Sequence, residues 1–153
     1  MRKFFSALVA ISMVGVTTAS AQARSEIEVI RQELRTDRQA VVAKNLPMSE
    51  AQAAAFWPVY REYRAEITTI GDRTVALLTS YSKKYETMKD ADAEAMLKEW
   101  LDIQDAQLKV RSKYVARFKK VLTGALVARY YQIENKLDAI TNVELAAGIP
   151  LVP

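Results

Sequence analysis

The sequence predicts an all-α fold: four long antiparallel helices, the second kinked at Pro58, packed as coiled-coil-like hairpins. Three observations carry that reading. The 153 residues include only four glycines and four prolines, so turns are few and elements are long. Apolar residues recur in alternating steps of three and four along each segment. No stretch shows the alternation of a half-buried strand.

The first residues stand apart. Arg2 and Lys3 precede the apolar run FFSALVAISMVGV, which is followed by TTASAQA. A basic start, a short apolar run and an A-x-A site predict a secretory signal peptide over residues 1–23. Cleavage is expected after Ala23, with Ala21 as the other site. An uncleaved membrane anchor is the alternative, but the run is shorter than the ~20 residues a spanning helix needs. Residues 24–153 are then expected to form a single all-helical domain, soluble in a bacterial periplasm, with no stable membrane insertion after processing.

The first helix is expected from about Ser25 to Lys44, with Ile27, Ile30, Leu34 and Val41 on one stripe and Asn45-Leu46-Pro47 ending it. Ser49 with Gln52 three residues on is a capping box and opens the second helix. Its stripe runs Ala53, Phe56, Tyr60, Tyr63, Ile67, Ile70, Thr74, Leu77, Tyr81, Lys84, Met88, apolar or aromatic except at Thr74 and Lys84. The phase passes straight through Pro58 and Gly71. A break would reset it, so Pro58 is expected to bend one helix of about residues 49–87 rather than to divide two. Asp90 is expected to cap a third helix reaching Leu122, with Met96, Leu97, Trp100, Leu101, Ile103, Leu108, Val110, Tyr114, Val115 and Phe118 forming a face wide enough for two neighbours. Thr123 is expected to cap a fourth helix carrying Leu126, Tyr130, Ile133, Leu137 and Ile140, with Gly148 and Pro150 as stop signals.

Composition excludes several chemistries. The chain has no histidine, which removes the usual general base and metal ligand, and no cysteine, which removes disulfides and thiol chemistry. No serine lies in a G-x-S-x-G context, and no glycine-rich phosphate loop is present. The chain therefore reads as a non-enzyme with no cofactor and no metal. The like-charge pairs Glu62/Glu66 and Glu134/Asp138 read as solvated helix faces.

The formal net charge is +4, with 22 basic and 18 acidic residues, and two of the cations are Arg2 and Lys3. Near balance in a secreted chain argues against nucleic acid as a partner. Residues 109–120, KVRSKYVARFKK, nevertheless hold six basic residues and no acidic one. They read either as a helix C-terminus complementing its dipole or as a surface for acidic partners.

The residues around the caps resemble a known family. MSEAQ (48–52) is similar to the L-T-x-x-Q motif of the Spy/CpxP family, with Met48, Ser49 and Gln52 in the three motif places. LTGAL (122–126) offers a second copy, in which Leu122 and Thr123 match and Leu126 replaces the glutamine. FWPVYREY and ARYYQIENKLDAI…ELAAGIPLV also look like segments of small secreted bacterial proteins. The resemblance implies a periplasmic helical protein linked to the stress response, forming a cradle-shaped homodimer. It would be either an ATP-independent chaperone or an inhibitor of an envelope sensor kinase. The histidine-rich segments of the metal-sensing relatives are absent.

The expected function is thus a periplasmic ATP-independent chaperone-like protein, holding unfolded or acidic clients on a helical surface. The expected surface comprises Trp57, Arg61, Arg64, Arg73, Lys109, Arg111, Lys113 and Arg117, with binding that weakens as salt rises. The alternative is an adaptor that docks and regulates one envelope partner, such as a sensor or membrane protein.

Overall fold

A computed structural model describes residues 37–153 of the chain. The leader, its cleavage site and the Ile27, Ile30 and Leu34 positions lie outside the described residues. Val42–Pro153 form one compact unit.

The described residues are all-helical, with no strand among them. Residues 37–45 form α1, Glu50–Lys84 form α2, a 3₁₀ turn spans Tyr85–Thr87, Asp90–Phe118 form α3 and Gly124–Gly148 form α4. Helix α2 is continuous through Pro58. Proline removes one N–H and so leaves the carbonyl of Ala54 without its intrahelical donor. Both Ala54 and Pro58 are exposed, which lets water serve that carbonyl.

The predicted capping box opens α2. Ser49 Oγ accepts from the Gln52 N–H at 3.2 Å, and the Ser49 N–H donates to Gln52 Oε1 at 3.0 Å. Ser49→Ala is expected to lower stability by about 0.5–2 kcal/mol, measured by urea titration, because it exposes an orphan donor at the helix start. An unchanged urea midpoint would contradict this account of the cap.

The start of α3 differs from expectation. Lys89, not Asp90, is the cap residue and offers no side-chain bond; Asp90 is already helical. Asp90 and Asp92 instead stabilise the first turn as negative charges against the positive end of the helix dipole. The other end also differs, since α3 stops at Phe118 and a tight turn carries the chain to Leu122, whose N–H donates to the Phe118 carbonyl at 2.9 Å. Thr123 caps α4 as expected, with its side chain accepting from the Leu126 N–H at 3.4 Å. At the end of α4 Gly148 adopts no left-handed conformation. Pro150 ends the helix by forcing Ile149 into extended backbone, φ −101° and ψ 116°.

Charged pairs tie α2 to α3 along their length: Glu62 to Arg117, Glu66 to Lys113, Arg73 to Glu99 and Lys84 to Asp92. At one end the core is aromatic. Phe56, Tyr60 and Tyr63 of α2 meet Tyr114 and Phe118 of α3, Val127 and Tyr130 of α4, and Leu122 before its cap. Val42 and Leu46 complete it. Val42 is the residue α1 buries; Val41, the position expected on the stripe, is 36% exposed. Val42 and Leu46 sit one turn apart and are joined by a backbone hydrogen bond, so they face the core together.

The rings pack mostly edge to face, with Phe118 4.8 Å from Tyr130 and 5.4 Å from Phe56 between centroids. Burial, reinforced by the Glu134 carboxylate, pushes the Tyr63 hydroxyl up to about 12. Burial, and then the hydrogen bond to Glu66, takes Tyr114 to about 12 as well. Tyr130 and Tyr131 are displaced upward mainly by burial. The folded state therefore holds these protons more tightly than the unfolded chain does. Stability from Tyr63 and Tyr114 is fully present below the ordinary phenol value of about 10 and is lost as pH climbs through about 12. A titration following phenolate absorbance and helicity together is expected to show ionisation and helix loss coinciding in that window. Ionisation at the ordinary value with helicity intact would contradict it.

Candidate functional site

The basic surface expected from the sequence is placed among carboxylates. Arg117 Nη2 lies 2.5 Å from Glu62 Oε2, and Lys113 Nζ donates to both Glu66 oxygens at 2.8 and 3.0 Å. Arg111 Nη2 donates to Asp138 at 2.6 Å, and Lys109 Nζ to Asp105 one turn earlier at 2.6 Å. Arg73 grips Glu99 with two parallel bonds of 3.0 and 3.1 Å, and Arg64 reaches Glu134 at 3.0 Å. Arg61 is exposed, and Trp57 is partly buried, edge-on against Phe56 and Tyr60.

Arg64–Glu134 apart, these pairs alter local charge more than stability, since exposed ion pairs contribute roughly 0–1 kcal/mol each. The Lys113 ammonium holds the Glu66 carboxyl below its usual range, assisted by the Tyr114 hydroxyl, which donates to Glu66 Oε1 at 2.8 Å. Lys113 and Arg117 also lie over the Tyr114 ring, at 5.3 and 4.8 Å from its centroid. The one-sided charge of residues 109–120 is thus largely met by acids from α2, α4 and α3 itself.

The two acidic pairs differ. Glu62 and Glu66 lie on a solvated face as expected, their side chains 55% and 38% exposed, and hold Arg117 and Lys113 there, whereas the Glu134/Asp138 reading is corrected. Glu134 is buried at 2% exposure, where it takes Arg64 from α2, while Asp138 takes Arg111. The buried ion pair has a cost that its geometry must offset.

A different feature opens where the second half of α2, the first half of α3 and the end of α4 converge. There a cavity of about 600 Å³ is lined by Thr74, Leu77, Leu78 and Tyr81, then Met88, Ala93, Met96, Leu97, Trp100, Gln104 and Gln107. Asn142, Leu145, Ala146, Ile149 and Val152 complete the lining. None of these side chains is charged. In a chain with 26% charged residues that is a selective surface, apolar with a few amides and hydroxyls.

Several lining residues were expected in the core. Leu97 is 58% exposed and Trp100 49%, and Leu101, Leu108 and Ile140 are also exposed. The α3 stripe is wide enough for two neighbours, as its spacing predicted. Its Tyr114–Phe118 end meets both α2 and α4, whereas at the Leu97–Trp100 level it stays half open. Sequence spacing marks such residues as apolar and in phase, and it cannot tell a covered stripe from an open one.

Among the described residues no cluster of three or more acidic, histidine or cysteine side chains could hold a metal ion, and no helix is long and apolar enough to cross a membrane. What the fold and the groove define is a helical protein with an aromatic core at one end and an open, uncharged apolar groove at the other. No family model, curated protein or solved structure matches the chain.

Proposed function

We propose that this chain is a secreted, periplasmic, ATP-independent chaperone-like protein of the Spy/CpxP kind, and that it holds apolar segments of unfolded clients in the groove. The observation that carries this reading is the uncharged groove of about 600 Å³ with Trp100 and Leu97 standing about half exposed. Exposed apolar surface of this kind marks a contact site, and the methionines Met88 and Met96 add a lining that adapts to varied shapes. The two helix starts support the family reading, since each pairs an inward apolar residue with a cap: Met48 with Ser49, and Leu122 with Thr123. In this reading α2 and α3 form an antiparallel, coiled-coil-like hairpin, bent at Pro58 and Gly71-tolerant beyond it, within one helical domain released from its signal peptide.

Clients are taken up by modest apolar contact rather than by the basic segment, because Lys113 and Arg117 are already engaged by Glu66 and Glu62. Aggregation of several unrelated unfolding proteins, followed by light scattering, is the test. Protection is expected to persist at high salt, where exposed charge contacts are screened. Trp100→Glu is expected to abolish it with helicity intact. Lys113→Glu with Arg117→Glu is expected to lower stability, by setting like charges against Glu66 and Glu62, yet to leave protection. Loss of protection in the charge-reversed pair but not in Trp100→Glu would move the surface to the basic segment.

A second reading has its own support. Leu97, Leu101, Gln104 and Leu108 repeat on α3 at heptad spacing, and all are exposed. Such a stripe fits one defined helical partner, as an adaptor for an envelope sensor or membrane protein requires. Indifference to every unrelated client, with recovery of a single partner, would favour it.

A further inference from the structure

The last five residues, Ile149–Pro153, leave α4 without regular structure. They carry no charged side chain. Pro150 and Pro153 cannot donate backbone hydrogen bonds, which keeps the segment from continuing the helix. Ile149 and Val152 nevertheless line the groove, and the Tyr81 hydroxyl donates to the Pro150 carbonyl at 2.7 Å. The seat is incompletely filled. A hollow of about 230 Å³ remains beside Leu78, Tyr85 and Gly148, and Leu151 is 88% exposed.

We propose that this tail is a displaceable strap on the groove, and that the ligand it gives way to is an extended, uncharged aliphatic peptide segment of the tail's own chemistry. The inference rests on the reading of the groove as the client site and names what that site selects. Three features point to this occupant. An uncharged lining offers no partner to a charged side chain, which would be desolvated without compensation. The hydroxyl of Tyr81 and the amides of Gln104, Gln107 and Asn142 suit a backbone whose N–H and C=O groups are unpaired. An extended segment has such groups and a helix does not. The tail itself shows the mode, with a main-chain carbonyl on Tyr81 and two aliphatic side chains on the wall.

A tethered strap competes at high local concentration, so the full chain should bind an outside peptide more weakly than a chain lacking the strap. The probe is a fluorescent peptide copying residues 147–153, titrated by anisotropy against the full chain, a chain ending after Gly148, and the full-length Val152→Asp variant. The shortened chain is expected to bind about tenfold more tightly, as for a tail displaced from its seat about one-tenth of the time in the full chain. Val152→Asp, which sets a charge on the strap against the uncharged lining and leaves Tyr81 in place, is expected to gain part of that increase. A peptide with aspartate replacing Ile149 and Val152 is expected not to bind.

Equal affinity for full and shortened chains of matching helicity overturns the strap, as does equal binding of the aspartate peptide. If shortening lowers helicity, Val152→Asp decides, and no gain there overturns the strap. Client protection by the full chain alongside any of these results leaves the groove reading standing. No protection and no peptide binding by any variant removes both.

Discussion

Phe118→Ala is expected to destabilise the protein by about 3–5 kcal/mol, the range for removing a buried phenylalanine and leaving a cavity. The ring is fully buried and sits among Phe56, Tyr63, Tyr114, Tyr130 and Tyr131, with centroid distances from 4.8 to 6.2 Å. It is the side chain through which α3 meets α2 and α4 together. Rigid rings cannot collapse into the space as aliphatic chains do, which places the loss toward the upper part of the range. Against a total stability of about 5–15 kcal/mol the variant is expected to be marginal. Urea unfolding followed by circular dichroism measures it, and a loss under about 1 kcal/mol would mean that the aromatic cluster is not the core.

Arg64→Ala is expected to be nearly as damaging, about 3–5 kcal/mol, because it takes the Arg64 guanidinium away from the buried Glu134 carboxylate. The Glu134 side chain is 3% exposed and that of Arg64 21%, so the pair is closed on the acid's side and partly wet on the base's. The effect belongs to the carboxylate that stays buried rather than to the bond. Arg64→Met combined with Glu134→Leu should therefore recover most of the loss, since an apolar pair of similar volume needs no compensation. A double variant as unstable as Arg64→Ala would show that Arg64 acts by packing its stem. A single variant within about 1 kcal/mol of the parent would place the pair with the exposed ones.

The helices and two of their starts were legible in the sequence. The heptad phase that runs from Ala53 through Pro58 and Gly71 has its counterpart in one continuous α2, and the Ser49–Gln52 capping box has its two hydrogen bonds. Local signals of this kind act within one turn, so reading them requires no knowledge of neighbours. The start of α3 was misassigned by one residue because Asp serves equally well as a cap and as a first-turn charge. At residues 109–120 the basic stretch was legible and its meaning was not. The acids that meet it belong largely to helices distant along the chain, Glu62 and Glu66 on α2 and Asp138 on α4.

By itself, then, the sequence determined an all-helical chain with long elements, the capping chemistry of Ser49 and Thr123, and the positions able to be apolar on each helix. These depend on backbone hydrogen bonding and on a 3.6-residue period, both set by near neighbours. The tertiary structure alone decided which of those apolar positions are covered: Phe118 fully buried, Trp100 half open. It also decided that Glu134 is buried against Arg64 and that the tail meets Tyr81. Burial and charge pairing depend on which helix faces come together across tens of residues, and a periodic pattern on one helix carries no record of what lies opposite it.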